Sequence, residues 1–356
     1  MLFGLAGRAL RAKHLAEEIS AEIDALLRIP SSVSAKSLAF LAARTLRNSK
    51  EEGKVAMARI ERILCPTDLS SASDQALRYA VALACAYEAK LFLLNCIDSR
   101  FDGNAGERQA LDNELSQAFR ESLDCHLGLA DLCELNWEGL LAENVRDVGN
   151  AIAEKAAKHR IDLIVMRSRR RPHAAVLLGS TAETVCRTAP CPVLVTHPRE
   201  REWVGLSTGE IDLNRVLVAH DFSSDSELAL NYGISLAQEY QAELHVLNVL
   251  TKAEAGEPEL AWTQLQPEGG YPSAARKLQR AIPKEVFLWS KVVNAVRCGR
   301  PYQEVLAYAK EHKVDLICMG ASGSDFGAGT LFGSNVDRVL RHAPCPVLVA
   351  RPLKPV

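Results

Sequence analysis

RILCPTDLSSASDQAL, residues 62–77, returns as RVLVAHDFSSDSELAL, residues 215–230. The offset of 153 residues holds for Asp68 and Asp221, for Asn95 and Asn248, and for Asp162 and Asp315. Further on, TAPCPVLVTHP and HAPCPVLVARP match at an offset of 154, so one residue has been lost or gained between Met166 and Gly179. A register held over a whole domain length means duplication of a complete fold, not of a short solenoid unit.

Both copies show the same order of elements. A short apolar strand (Ile63 to Cys65; Val216 to Ala219) ends at an aspartate, and Ser-rich residues follow that can cap a helix beginning near Asp74 or Glu227. Ala76, Leu77, Ala80, Val81 and Ala84 keep helical spacing, as do Leu228, Leu230, Ile234 and Leu236. A second apolar strand comes next (Leu91 to Ile97; Leu244 to Leu250), then a helix and a third strand near Leu132–Leu135 or Val286–Leu288. A fourth strand, DLIVM or DLICM, leads through a loop to a helix after Gly179 or Gly333 and a closing PVLV strand. Short strands alternating with helices predict βαβ units around a parallel sheet. The expected fold class is therefore α/β, with two tandem doubly wound, Rossmann-like parallel-sheet domains. The closing strands, Val193–Val195 and Val347–Val349, are short and apolar, and exposed apolar edges tend to be paired. They are expected to join the two copies as an internal pseudo-dimer.

Residues 1–58 lie outside the repeat and form a helical N-terminal extension. Leu15, Ile19, Ile23 and Leu26 make an apolar helical stripe that Pro30 ends, and basic residues outnumber acidic ones. Such a segment reads as an arm packed on its own protein, or as a docking element for a partner or an acidic membrane surface. The expected divisions are 1–58 (extension), 59–197 (first domain), 198–212 (polar linker with Gly205 and Gly209) and 213–356 (second domain).

Composition narrows the class of function. The chain has 356 residues, 48% hydrophobic and 24% charged, with a net charge of −2, so no basic surplus points to nucleic acid. Its best candidate for a membrane span, Val81 to Ile97, is broken by Glu88 and Lys90. We read a cytoplasmic protein with no transmembrane segment. None of the ten cysteines forms a CxxC pair or a zinc-type cluster, and most sit in apolar runs, as Cys65, Cys85, Cys96 and Cys318 do.

Ligands of such sheets bind beyond the C-terminal ends of the strands, where the strand order reverses. There the second copy carries MGASGSDFGAGTLFGSN, residues 319–335. Glycines let backbone N–H groups approach an anion, and a helix N-terminus favours negative charge. Gly320, Gly323, Gly333 and the Ser334 hydroxyl can thus wrap a polyphosphate.

The spacing G-x2-G-x9-G-S resembles the ATP-binding signature of the universal stress protein family. So do the Pro66-Thr67-Asp68 triplet and the two PVLV strands, and the resemblance covers roughly Glu61 to Pro352. It implies an adenine-nucleotide alpha hydrolase-like fold and a stress-response regulatory protein that binds ATP or a related nucleotide. Gly320, Gly323, Gly333, Ser334 and Asn335 match the family's phosphate- and ribose-binding segment. Asp221 matches the acidic position near the ribose and metal (Mg²⁺), Ala219 the proline two residues earlier, and Val249 the position whose backbone reads the adenine edge. Asp221 also reads as a simple helix-start residue. The first copy departs from the pattern. Arg167 and Arg170 stand where Gly320 and Gly323 stand, the spacer is one residue shorter, and Arg146 replaces Gly299. Its cluster of Arg167, Arg169, Arg170 and Arg171 reads as a solvated loop, or as a contact for another anion or a partner.

No G-x4-G-K-[S/T] loop and no Ser/His/Asp set is present, so no catalytic residue is assigned. The expectation is a regulator acting on an unidentified protein partner, with nucleotide held in the second copy. The alternatives are a weak ATPase or nucleotidyl-transfer enzyme, working through Asp221 and a metal, and a scaffold whose site is vestigial.

Overall fold

The computed structural model describes residues 60–97, 105–127, 135–168, 180–198, 200–205, 209–251, 272–288, 290–322 and 333–351. Residues 1–58, Arg169–Arg171, Gly179 and Gly323, singled out above from the sequence, lie outside them. The first copy runs β1 (Arg62–Pro66), α1 (Asp74–Tyr87), β2 (Lys90–Cys96), α2 (Ala105–Leu127), β3 (Trp137–Ala142), α3 (Val148–Lys158), β4 (Leu163–Arg167), α4 (Ser180–Thr188) and β5 (Val193–Thr196). The second runs β6 (Arg215–Ala219), α5 (Ser224–Tyr240), β7 (Glu243–Leu250), α6 (Pro272–Ala281), β8 (Val292–Cys298), α7 (Pro301–Glu311), β9 (Leu316–Gly320), α8 (Ser334–His342) and β10 (Val347–Ala350).

The ten strands form one sheet in the order β3-β2-β1-β4-β5-β10-β9-β6-β7-β8. Within each copy every pairing is parallel, and the order reverses where β1 meets β4 and where β6 meets β9. The copies meet at β5 and β10, which pair antiparallel, Val347 with Val195 and Val349 with Val193. Each closing strand thereby covers the edge the other would leave open.

Successive side chains of a strand point to opposite faces, and both faces here are apolar. Ile63 and Cys65 enter the core layer that holds α1, α2, α5 and α6. Leu64, between them, enters the opposite layer with α3, α4, α7 and α8. The second copy repeats this with Val216 and Val218 against Leu217. Truncating a fully buried residue such as Leu217 to alanine costs about 2–5 kcal/mol, because the sheet cannot collapse into the hole. None of the eight described cysteines is in a disulfide, and burial alone pushes the Cys65 thiol up to about 12. Cys65, Cys186, Cys191, Cys318 and Cys345 act as small apolar core residues.

Two carboxylates recur at equivalent places, Asp315 buried and Asp162 half-buried. Asp162 Oδ2 accepts the Glu61 and Arg62 N–H groups, and Asp315 Oδ2 accepts those of Asn214 and Arg215. Each ties the start of β4 or β9 to the start of the neighbouring β1 or β6. That structural duty explains why both aspartates keep the repeat register.

Three local expectations need correcting. The third strand of the second copy is Val292–Cys298, while Lys284–Leu288 is a 3-10 turn. Only Val286 of the apolar trio buries, and Leu288 is 85% exposed. The true strand lies at the sheet edge and is largely half-buried, so it lacks a continuous apolar run. In the first copy the third strand likewise starts later than expected, at Trp137. Finally, α5 begins at Ser224, three residues earlier in register than α1 at Asp74. The polar link between the copies also does more than tether them. Trp203 is buried edge-on against Tyr79, with ring centroids 4.7 Å apart, and its backbone N–H donates to the Tyr79 hydroxyl at 3.1 Å.

Candidate nucleotide site

Strand β6 ends at Ala219, and the chain turns through His220, Asp221 and Phe222 into α5. Phe222 adopts φ of +66° and Leu69, its equivalent, +57°. Bulky residues rarely enter this left-handed region, so the turn is held by its surroundings. Part of the hold comes from Asp221, whose Oδ1 accepts the Ser223 N–H at 3.0 Å and its hydroxyl at 2.6 Å. Asp68 accepts the same two groups from Ser70. The carboxylate is used the same way in both copies, and in the second its partner Ser223 is the N-cap of α5. His220 adds another brace, its Nδ1 accepting the Phe222 N–H at 3.2 Å. Burial pushes the His220 pKa below its ordinary value, with Asp221 and Glu227 opposing, so the imidazole is neutral at neutral pH.

Asn248, near the end of β7, donates to the His220 carbonyl at 2.8 Å, as Asn95 does to that of Thr67 at 3.0 Å. This bond ties the ends of adjacent strands and places Val249 beside the turn. Across the switch point, β9 ends at Gly320. A Cβ there would lie 2.6 Å from the Asp225 carbonyl carbon and 2.7 Å from its Cβ, so only glycine lets β9 pass the first turn of α5. In the first copy Arg167 takes this place, its guanidinium donates to the Ala72 carbonyl, and the helix starts later. Ala72 is the equivalent of Asp225. Gly320 therefore has a packing reason to be glycine, independent of any ligand.

Beyond Gly320, the Ala321 N–H donates to Ala350 and the Gly333 N–H to the Ala321 carbonyl at 3.0 Å. The two ends of the glycine loop are thus closed on each other before α8 begins. Among the described residues no side chain caps α8 at Gly333, as none caps α1 or α7, while α5 is capped by the Ser223 hydroxyl and α3 by Asp147. Its first-turn amides have no acceptor within the helix.

These elements enclose a cavity of about 860 Å³, within the range of small-molecule sites. Ala219, Asp221, Val249, Gly320, Gly333, Ser334 and Asn335 all line it, so seven of the eight residues singled out from the sequence converge. Gly323 is the eighth. Sequence reasoning missed His220, Asn248, Tyr302 and Lys277, which line the same cavity. The Lys277 ammonium sits 4.0 Å from the Phe222 ring centroid, a cation at the mouth of the cavity. It missed Asp225 as well, whose carboxylate holds Ser322. The one visible signal for Asp225 was its replacement by Ala72 in the first copy. Among the described residues no group of three His, Cys, Asp or Glu side chains could hold a metal ion. No described helix is long and apolar enough to cross a membrane.

A doubly wound tandem sheet with a polar cavity at one switch point defines a Rossmann-like α/β fold. A sequence model of the universal stress protein family matches residues 59–197 and again 213–351, and the chain belongs to that family. It is 29% identical over 153 residues to a universal stress protein of Methanocaldococcus jannaschii, an alignment spanning 41% of this chain and 86% of the relative. The solved universal stress protein from Archaeoglobus fulgidus DSM 4304 superposes with a TM-score of 0.59 at 21% identity, covering 82% of this chain and 98% of its own. Another solved member, 25% identical with a TM-score of 0.30 over 39% of this chain and 98% of its own, is described in complex with cAMP.

Proposed function

We propose that the chain is a cytoplasmic stress-response regulator that binds ATP or a related adenine nucleotide in its second copy (213–356) and transmits the bound state to a protein partner. The observation that carries this reading is the uncapped N-terminus of α8 at the edge of the switch-point cavity. Polyphosphate oxygens are the natural acceptors for such amides, and the helix dipole favours their charge. Ser334 adds a hydroxyl. Val249, at the end of β7, offers backbone groups for a base, and Asp221 faces the space between. Mg²⁺ would arrive on the phosphates and keep most of its water, with Asp221 the one described carboxylate lining the cavity to meet it.

The first copy (59–197) fits a structural partner better than a second site. Arg167 fills the volume beside β4 and bonds the protein's own backbone. Turnover has less support, because Asp221 Oδ1 is engaged by Ser223. The reading is tested by denaturing purified protein and analysing the supernatant by mass. An adenine nucleotide near one equivalent supports it. Protein that carries none and takes up none from millimolar ATP with Mg²⁺ refutes it.

A further inference from the structure

We propose that Asp225 is a positioning residue for the nucleotide. It clamps the entrance of the glycine loop through Ser322, so that the phosphate-binding amides are held in place before ligand arrives. This rests on the nucleotide reading above and adds a residue to it.

The Asp225 carboxylate Oδ2 accepts two bonds from one residue, the Ser322 N–H at 3.1 Å and the Ser322 hydroxyl at 2.5 Å. Charge-assisted bonds of this type are about twice as strong as neutral ones. Ser322 lies two residues past Gly320 and lines the cavity. Asp225 sits in the first turn of α5, which is itself capped by Ser223. The same residue is the one against which Gly320 packs without a Cβ. Asp225 therefore meets the outgoing strand in two ways, one steric and one hydrogen-bonded.

The duplication supplies the contrast. At the equivalent place the first copy has Ala72, which has no side-chain acceptor, and Arg167 reaches that residue's carbonyl instead. The clamp thus exists in the copy with the intact glycine loop and is absent among the described residues of the copy without it. A negatively charged side chain next to an anion site has a direct electrostatic cost. Its retention here makes sense if the carboxylate is spent on Ser322, turning the loop entrance toward the uncapped α8 terminus. Preorganised donors bind more tightly because less ordering remains to be done.

The test is calorimetric titration of the full chain with ATP·Mg²⁺ and with adenosine, alongside thermal unfolding without ligand. Asp225→Ala should weaken ATP about tenfold and leave adenosine unchanged, since adenosine has no phosphates to position. Ser322→Ala, which loses the hydroxyl but keeps the N–H, should weaken ATP about threefold. The double variant should match Asp225→Ala alone, because both changes break one clamp. Asp225→Asn keeps an acceptor oxygen and should lie near the parent. Equal loss of ATP and adenosine, or a double variant equal to the product of the singles, would overturn the clamp and leave the nucleotide reading standing. So would unchanged ATP binding by Asp225→Ala. A parent protein that binds neither compound would overturn both.

Discussion

Replacing Gly320 by alanine adds one methyl group and should destabilise the protein before any ligand is considered. The new Cβ would sit 2.6, 2.7 and 2.8 Å from three atoms of Asp225, two of them backbone. Comfortable carbon contacts are about 3.5–4.0 Å, so the overlap is about an ångström. Neither side can yield cheaply. Gly320 is paired in register with Ala350 of β10, and Asp225 belongs to a capped helix turn. Overpacking of this kind costs about 1–3 kcal/mol, and withdrawal of the α5 start would also stretch the charge-assisted bonds to Ser322. We expect a loss of about 2–4 kcal/mol, read as a lower urea midpoint in nucleotide-free protein. A variant within about 0.5 kcal/mol of the parent would refute the packing account. The consequence for interpretation is direct. Lost nucleotide binding in a Gly320 variant would not by itself show a phosphate contact, because the helix start is disturbed too.

Other outcomes are equally open to measurement. His245 is buried, bonds the Tyr308 hydroxyl at 2.9 Å, and is held down to about 4, mainly by burial and against the pull of Glu243. Its folded pKa lies below the ordinary 6.5, so its stabilisation is complete above pH 6.5 and is lost as pH falls toward 4, by up to about 3 kcal/mol. His245→Phe copies Phe92 of the first copy and should flatten that acid limb in denaturation at stepped pH; an unchanged slope counts against it. Deleting residues 1–58 should leave cooperative unfolding intact, because every described strand lies beyond them, and a broad, non-cooperative transition would show that they complete a core. Val195→Pro removes a donor from the β5–β10 junction and should uncouple the copies, giving two thermal transitions in place of one.

Much of this was legible in the sequence because duplication repeats its landmarks. The strand ends, the paired Asp68 and Asp221, and the PVLV strands all recur at fixed register, and they place the switch point without any coordinates. The edge strand was misplaced because a half-buried strand such as VVNAVRC has no continuous apolar run, while the VFL trio of a short turn imitates one. The role of Asp221 was legible only as a pair of alternatives, and its bonds to Ser223, the N-cap of α5, favour the helix-start duty in the second copy. Asp225 and His220 were illegible because each depends on a contact across the switch point or on a backbone turn, and neither leaves a spacing pattern. The glycines read as phosphate ligands proved ambiguous for a related reason. Gly320 is required by a neighbouring helix, a fact that only packing reveals.

The central claim is one nucleotide site per chain, in the second copy. Calorimetric titration with ATP and Mg²⁺ tests it most directly, run on the parent and on Gly323→Arg, which copies Arg170 of the first copy, and Gly179→Ala. The account predicts a stoichiometry of one in the parent, no binding by Gly323→Arg, and unchanged binding by Gly179→Ala. Two equivalent sites in the parent, or unimpaired binding by Gly323→Arg, would contradict it.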